Sequence, residues 1–223
     1  MTPEAFSGEV AITGGGVTLQ GNLVIPPHAT GIVAFAHGSG SSRFSPRNRF
    51  VSEILHSAGV GTLLFDLLSE SEAENRDLVF DIDLLSERLL QATDWLADEH
   101  LTRHLPIGYF GASTGAAAAL VAAAARPEQV RAVVSRGGRP DLAGPCLGQV
   151  RAPTLLIVGE RDDVVLGLNR RAYRELKTEK ELVVVPDATH LFEEPGTLEE
   201  AARQAAHWFK SHLGVRETAD NHA

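Results

Sequence analysis

A chain of 223 residues, 43% hydrophobic and 22% charged, has the balance of an ordinary globular protein and excludes fibrous, low-complexity and membrane-embedded designs. Its net charge of −9 argues against a nucleic acid partner, because phosphate backbones are met by basic stripes. The single cysteine, Cys146, excludes an internal disulfide framework and suits a reducing compartment.

The first segments with a regular pattern, Val10 to Ile12 and Val17 to Ile25, flank Gly14-Gly15-Gly16 and predict a hairpin closed by a glycine turn. Ile32 to Ala36 follows as a buried strand. Ser45-Pro46 supplies an N-cap and a first-turn proline for a helix whose apolar stripe is Val51, Ile54, Leu55 and Ala58, ending before Gly59. Val60 to Phe65 is the next strand. Leu78, Ile82, Leu85, Leu89 and Leu96 then recur at helical spacing through one long segment ending near His100. Pro106 to Phe110 reads as strand and the alanine-rich run Ala116 to Ala125 as helix. Val130 to Ser135, Thr154 to Val158 and Leu182 to Val185 are three more short apolar runs, with Leu166 to Leu176 filling the gap between the last two. Leu198, Ala201, Ala205, Trp208 and Leu213 give a closing helix its apolar face.

Such alternation, with strands apolar enough to be covered on both faces, predicts an α/β fold. It has a mostly parallel sheet of about eight strands, an antiparallel N-terminal hairpin and helices on both faces. No repeat or composition break divides the chain, so one domain is expected, with its core over residues 8–213 and a frayed tail over 215–223. The roughly 18 residues between Ser135 and Thr154 are too few for an independent helical cap. Met1 to Ala11 lacks the charged-then-apolar order of a secretory signal, and no run approaches the ~20 apolar residues of a membrane span. Cytoplasmic placement, no membrane contact and a monomer or homodimer are the resulting expectations.

Between the strand at Pro106 and the alanine-rich helix stands Gly111-Ala112-Ser113-Thr114-Gly115. A serine at the apex of a glycine-flanked strand-to-helix turn reads as a nucleophile elbow, because side chains two residues either side would collide with neighbouring backbone. The bare pattern arises by chance in about one such chain in ten, so its context decides. In open parallel sheets functional groups gather beyond the carboxyl ends of the strands. There, His190 can serve as the base that a serine hydroxyl requires, and Asp162 or its neighbour Asp163 as the carboxylate that orients the imidazole. Backbone N–H groups for an oxyanion come from Thr114 and from the turn His37-Gly38-Ser39-Gly40, with Ser39 ahead of Gly38. His37 itself reads as a brace for that turn.

With His37 to Gly40, Gly111 to Gly115, Gly159 to Asp162 and His190, the chain resembles small serine α/β-hydrolases, whose chain order of serine, acid and histidine it shares. It is most similar to dienelactone-hydrolase-like proteins, which are short and lack a large cap. It departs from true dienelactone hydrolases in carrying Ser113 where those have a cysteine nucleophile. The resemblance implies the α/β-hydrolase fold, no cofactor or metal, and an acid three residues beyond a strand-terminal glycine, which is Asp162. It also implies hydrolysis of a small-molecule carboxylic ester through an acyl-enzyme at Ser113. The same machinery serves thioesters and lactones, and a non-catalytic ligand-binding protein on this fold is the reading from another class.

Arg43 and Arg47 follow the oxyanion turn, and Arg136 and Arg139 follow the strand ending at Ser135. One or two of these guanidinium groups are expected to bind a substrate anion. The alternative is that they order loops by pairing with Glu70, Glu72 and Glu74. His100 and His104 have metal-ligand spacing without a third ligand, and read as helix-terminal side chains. Cys146 reads as a packing residue.

Overall fold

A computed structural model of the chain describes residues 5–214; the expected tail at 215–223 lies outside them. Gly15 and Gly16, with φ of 55° and 80°, make the two-residue turn that joins β1 (Phe6–Gly14) to β2 (Val17–Ile25) in an antiparallel hairpin. Both turn positions need left-handed backbone, which glycine adopts without a Cβ penalty. β3 (Ile32–Ala36), β4 (Gly61–Phe65), β5 (Ile107–Ala112), β6 (Val130–Arg136), β7 (Thr154–Gly159) and β8 (Lys180–Val185) complete an eight-stranded sheet of order β1-β2-β4-β3-β5-β6-β7-β8. All pairings beyond β2–β4 are parallel. The architecture is the expected α/β one, a mostly parallel sheet with an antiparallel N-terminal hairpin, and the described residues form no large cap.

Each central strand is divided between two cores by its alternation. Ile32, Ala34 and Ala36 of β3 enter one core with Tyr109 of β5, while Val33 and Phe35 enter the other with Phe110. The first core is closed by α4 (Ile82–Asp98), α5 (Thr114–Ala125) and Ala172 of α6 (Asp163–Glu175); the second by α1 (Pro46–Ser57) and α7 (Thr197–Leu213). Burial on both faces is why β3, β4 and β5 read as unbroken apolar runs rather than alternating ones. The alanines of α5 keep its axis close to the sheet, and Ala116 to Ala119 are wholly buried.

One stretch differs from the sequence expectation. The single helix expected from Leu78 to near His100 is two, α3 (Arg76–Val79) and α4, and a further short helix, α2 (Glu70–Ala73), precedes them. The side chains of Ser69, Asn75 and Asp81 accept from the backbone N–H of Glu72, Asp77 and Leu84, respectively, and each begins a new helix. Local capping thus overrides the leucine periodicity. Between β6 and β7, Pro140–Gln149 forms 3-10 turns broken at Gly144 and packed against α5 and α6, so no helical cap is inserted there.

Candidate active site

Ser113 leaves β5 at φ 51° and ψ −123°, a left-handed conformation that costs a non-glycine residue on the order of 1–3 kcal/mol. Its neighbours keep the turn tight. A Cβ on Gly111 would lie 2.7 Å from the Ala116 nitrogen, and one on Gly115 would lie 2.6 Å from the His37 carbonyl oxygen. Neither space exists, which is the physical content of the glycines two residues either side. The Ser113 carbonyl accepts from Ala116 N–H and Arg139 N–H at 3.1 and 3.0 Å. The strained residue is therefore held from both the helix and the loop after β6.

His190 stands in the loop after β8. Its Nδ1 donates to Asp162 Oδ2 at 2.6 Å, which leaves Nε2 as the free ring nitrogen. Asp162 occupies the N-cap position of α6, yet its carboxylate makes no capping bond; it is given to the imidazole instead. Asp163 lies one residue on, in the first turn of α6, and is exposed. The two loops are sewn together by backbone bonds: Glu160 N–H donates to the Val185 carbonyl and Arg161 N–H to the Ala188 carbonyl, both at 2.9 Å. Ser113 and His190 line one cavity of about 270 Å³, with Gly38, Ser39, Arg47 and Arg136.

The turn after β3 is braced from beneath by His37. Its Nδ1 donates to the Gly38 carbonyl at 3.0 Å and its Nε2 accepts from Leu67 N–H at 3.1 Å, a pair of bonds that only the neutral ring can make. Burial pushes its pKa below the ordinary value, in keeping with that tautomer. The Ser39 N–H, the expected oxyanion donor, is directed at Thr114 Oγ1 at 3.0 Å. The hydroxyl of Thr114 thus ties the turn to the elbow, and an incoming oxygen must take over the Ser39 amide.

The four arginines separate. Arg43 is bound to Asp66, backbone N–H to Oδ1 at 2.8 Å and Nη1 to Oδ2 at 2.5 Å. Arg139 forms a bidentate pair with Asp141 at 2.9 and 2.8 Å and lines neither cavity at the turn. Arg47 reaches Glu193 at 3.5 Å. Arg136 is 8% exposed and its Nε and Nη1 have no hydrogen-bond partner. Burial, and then the positive charge of Arg47, push its guanidinium down to about 10, so it stays protonated at neutral pH. The Phe192 ring centroid lies 5.7 Å from its guanidinium carbon. None of the four pairs with Glu70, Glu72 or Glu74; Glu72 is taken by Arg88 of α4 at 2.7 Å. Two guanidinium groups, Arg47 and Arg136, therefore face the cavity of Ser113.

Sequence reasoning passed over Glu194. Its carboxylate accepts from Thr189 N–H and Thr189 Oγ1 at 3.0 and 2.7 Å. Those bonds hold its pKa below the usual carboxylate value. It fixes the residue before His190, and an acid four residues beyond the histidine is the one signal that pointed to it. His100 lies apart from the site, with its Nδ1 on Glu99 at 2.5 Å. Among the described residues no three His, Cys, Asp or Glu side chains are grouped to hold a metal ion.

No protein-family model matches the chain. Over 205 residues it is 62% identical to two proteins of Mycobacterium tuberculosis strains, both named "Putative phosphoribosyl transferase"; the match covers 92% of this chain and 46% of theirs. The chain thus spans about half the length of those curated relatives. Its structure superimposes on a dienelactone hydrolase from Anabaena variabilis with a TM-score of 0.92 and 58% identity, covering 94% of this chain and 99% of that one. Est1E from Butyrivibrio proteoclasticus shares the fold at 16% identity, with a TM-score of 0.79 over 92% of this chain and 98% of its own.

Proposed function

The chain belongs to the dienelactone hydrolase family of α/β-hydrolases, and from that membership we propose that it is a serine hydrolase cleaving small carboxylic esters through an acyl-enzyme. The observation that carries the reading is the 2.6 Å bond from His190 Nδ1 to Asp162, made by an imidazole that shares a cavity with the strained Ser113. Ser113 Oγ attacks the ester carbonyl as Nε2 of His190 takes its proton, and Asp162 holds the tautomer and balances the imidazolium. The amides of Ser39 and Thr114 receive the oxyanion, Thr114 at the start of α5, where the helix dipole favours negative charge. Collapse expels the alcohol, which receives the proton from His190. Water, activated by the same ring, then releases the acid. Thioesters and lactones follow the same steps.

Arg136, supported by Arg47, is assigned to a substrate anion. An ionised group buried without a partner is costly, and a carboxylate or other anion in the cavity would satisfy it. The transferase name borne by the Mycobacterium relatives describes proteins about twice as long. The groups gathered beside Ser113 support acyl transfer to water.

The test is a fluorophosphonate probe followed by peptide mapping. Ser113 takes the label, and Ser113→Ala and His190→Ala abolish both labelling and ester turnover, the latter by about 10⁴-fold or more. A folded protein that stays unlabelled would instead be the non-catalytic ligand-binding form of this fold.

A further inference from the structure

The turn after β3 separates two cavities. The smaller, about 270 Å³, contains Ser113, His190, Arg47 and Arg136. The larger, about 920 Å³, lies on the far side of the turn between β2, the loop after β4 and the short helices α2 and α3. Gly38, Ser39 and Ser41 line both, so a carbonyl oxygen on the Ser39 amide sits at their junction. We propose, resting on the serine hydrolase reading, that the large cavity takes a bulky uncharged acyl group. The small cavity then takes a small anionic alcohol, the leaving group.

The direction follows from the proton. When the tetrahedral intermediate collapses, the bond between carbon and alcohol oxygen breaks and the departing oxygen takes its proton from Nε2 of His190. His190 lines the small cavity and is absent from the wall of the large one. The alcohol therefore leaves on the side of His190, and the acyl carbon, by then bonded to Ser113 Oγ, carries its chain across the oxyanion turn. Water later restores Ser113 and frees the acid into the large cavity.

Charge and size agree with that assignment. The small cavity holds the unpartnered Arg136 and, close by, Arg47. Its volume, about 270 Å³, is under a third of the 920 Å³ of the other. The large one is walled by Leu19, Leu68, Val79 and Leu85 and by serine hydroxyls, including Ser69 and Ser71. Its one cation, Arg43, is neutralised by Asp66 inside the same wall, and Glu70 at its edge is exposed. An anion gains nothing there, whereas a ring or branched chain bearing hydroxyls meets both kinds of surface. The volume falls within the range of sites that enclose a drug-sized molecule.

Five esters test the assignment on the full chain: the 3-phenylpropanoyl esters of glycolate, of 2-hydroxyethyl phosphate and of ethanol; acetyl glycolate; and O-acetyl-3-phenyllactate, in which the bulky part is the alcohol. The 3-phenylpropanoyl ester of glycolate or of hydroxyethyl phosphate should exceed both the ethyl ester and O-acetyl-3-phenyllactate at least tenfold in kcat/KM. The better of the two names the anion. Val79→Trp, which fills the large cavity, should cut the ratio of 3-phenylpropanoyl glycolate to acetyl glycolate about tenfold. Preference for O-acetyl-3-phenyllactate, or a ratio unmoved in a folded Val79→Trp, overturns the assignment and leaves the hydrolase reading in place. A protein labelled by fluorophosphonate that turns over none of the five also overturns the assignment alone. One that is neither labelled nor active overturns both.

Discussion

At the residue scale the site rests on side chains that have given up ordinary roles. Asp162 stands where a helix would use it as a cap and serves His190 instead. Asp162→Asn is therefore expected to lower kcat by about 10⁴-fold, the effect of losing the correct imidazole tautomer, while Asp163→Asn stays within threefold; steady-state ester hydrolysis separates them. Arg136 forgoes a counter-ion that Arg43 and Arg139 both have. Arg136→Met should cost anionic esters about 100-fold in kcat/KM, with neutral esters within threefold. It should also raise the melting temperature, because removing an uncompensated buried charge returns about 1–3 kcal/mol. Equal losses on charged and neutral esters would count against the anion assignment. The elbow and the histidine were legible in the sequence, and the acid as far as the pair Asp162 and Asp163, because each stands at its own strand-terminal turn. The sorting of the arginines was not, since Asp66 and Glu193, the partners of Arg43 and Arg47, come from other loops and no spacing encodes a contact between loops.

At the element scale, backbone chemistry decides what apolar periodicity cannot. Eight strands and the helices α1, α5, α6 and α7 follow from the runs and caps read along the chain. The long helix expected from Leu78 does not, because Asn75 and Asp81 each offer an oxygen to an amide two or three residues ahead. Asp81→Ala should destabilise the protein by about 1 kcal/mol, as loss of an N-cap does, with kcat unchanged; chemical denaturation and kinetics on the same variant check both. The loop of His190 is an element of the opposite kind, irregular yet pinned. Glu194→Gln keeps the shape but weakens the charge-assisted bonds to Thr189. A fall in kcat of about tenfold, recovered in Glu194→Asp only in part, is the expected result, with unchanged stability to denaturant.

On the scale of the whole molecule, the two cores on either side of the sheet hold the strand ends at fixed spacing, and the loops ride on that frame. No helix among the described residues is long and apolar enough to cross a membrane. Two histidines bind the frame to the pH of its surroundings. Burial lowers the pKa of His37 and of His56, whose Nε2 lies 2.7 Å from Thr62 Oγ1. Folded chains keep both rings neutral where unfolded chains begin to protonate, so their contribution is complete above about pH 6.5 and is lost as pH falls towards the folded values. Thermal unfolding between pH 7.5 and 5 should show stability declining by up to about 1.4 kcal/mol per pH unit for each group. The double variant His37→Gln, His56→Gln should flatten that decline, and an unaltered slope would assign it to other groups.

The sequence by itself determined the order of strands and helices, the places where they stop, and which residue stands at each strand exit, because those depend on periodicity, caps and turn residues along a few positions of chain. Only the tertiary structure decided which carboxylate meets His190, which arginine is left without one, and that two cavities of unequal size join at Ser39. Those depend on how parallel neighbours bring together, at one end of the sheet, residues as far apart as 28 and 75 positions. That juxtaposition is produced by the packing of two buried faces, and no local pattern records it.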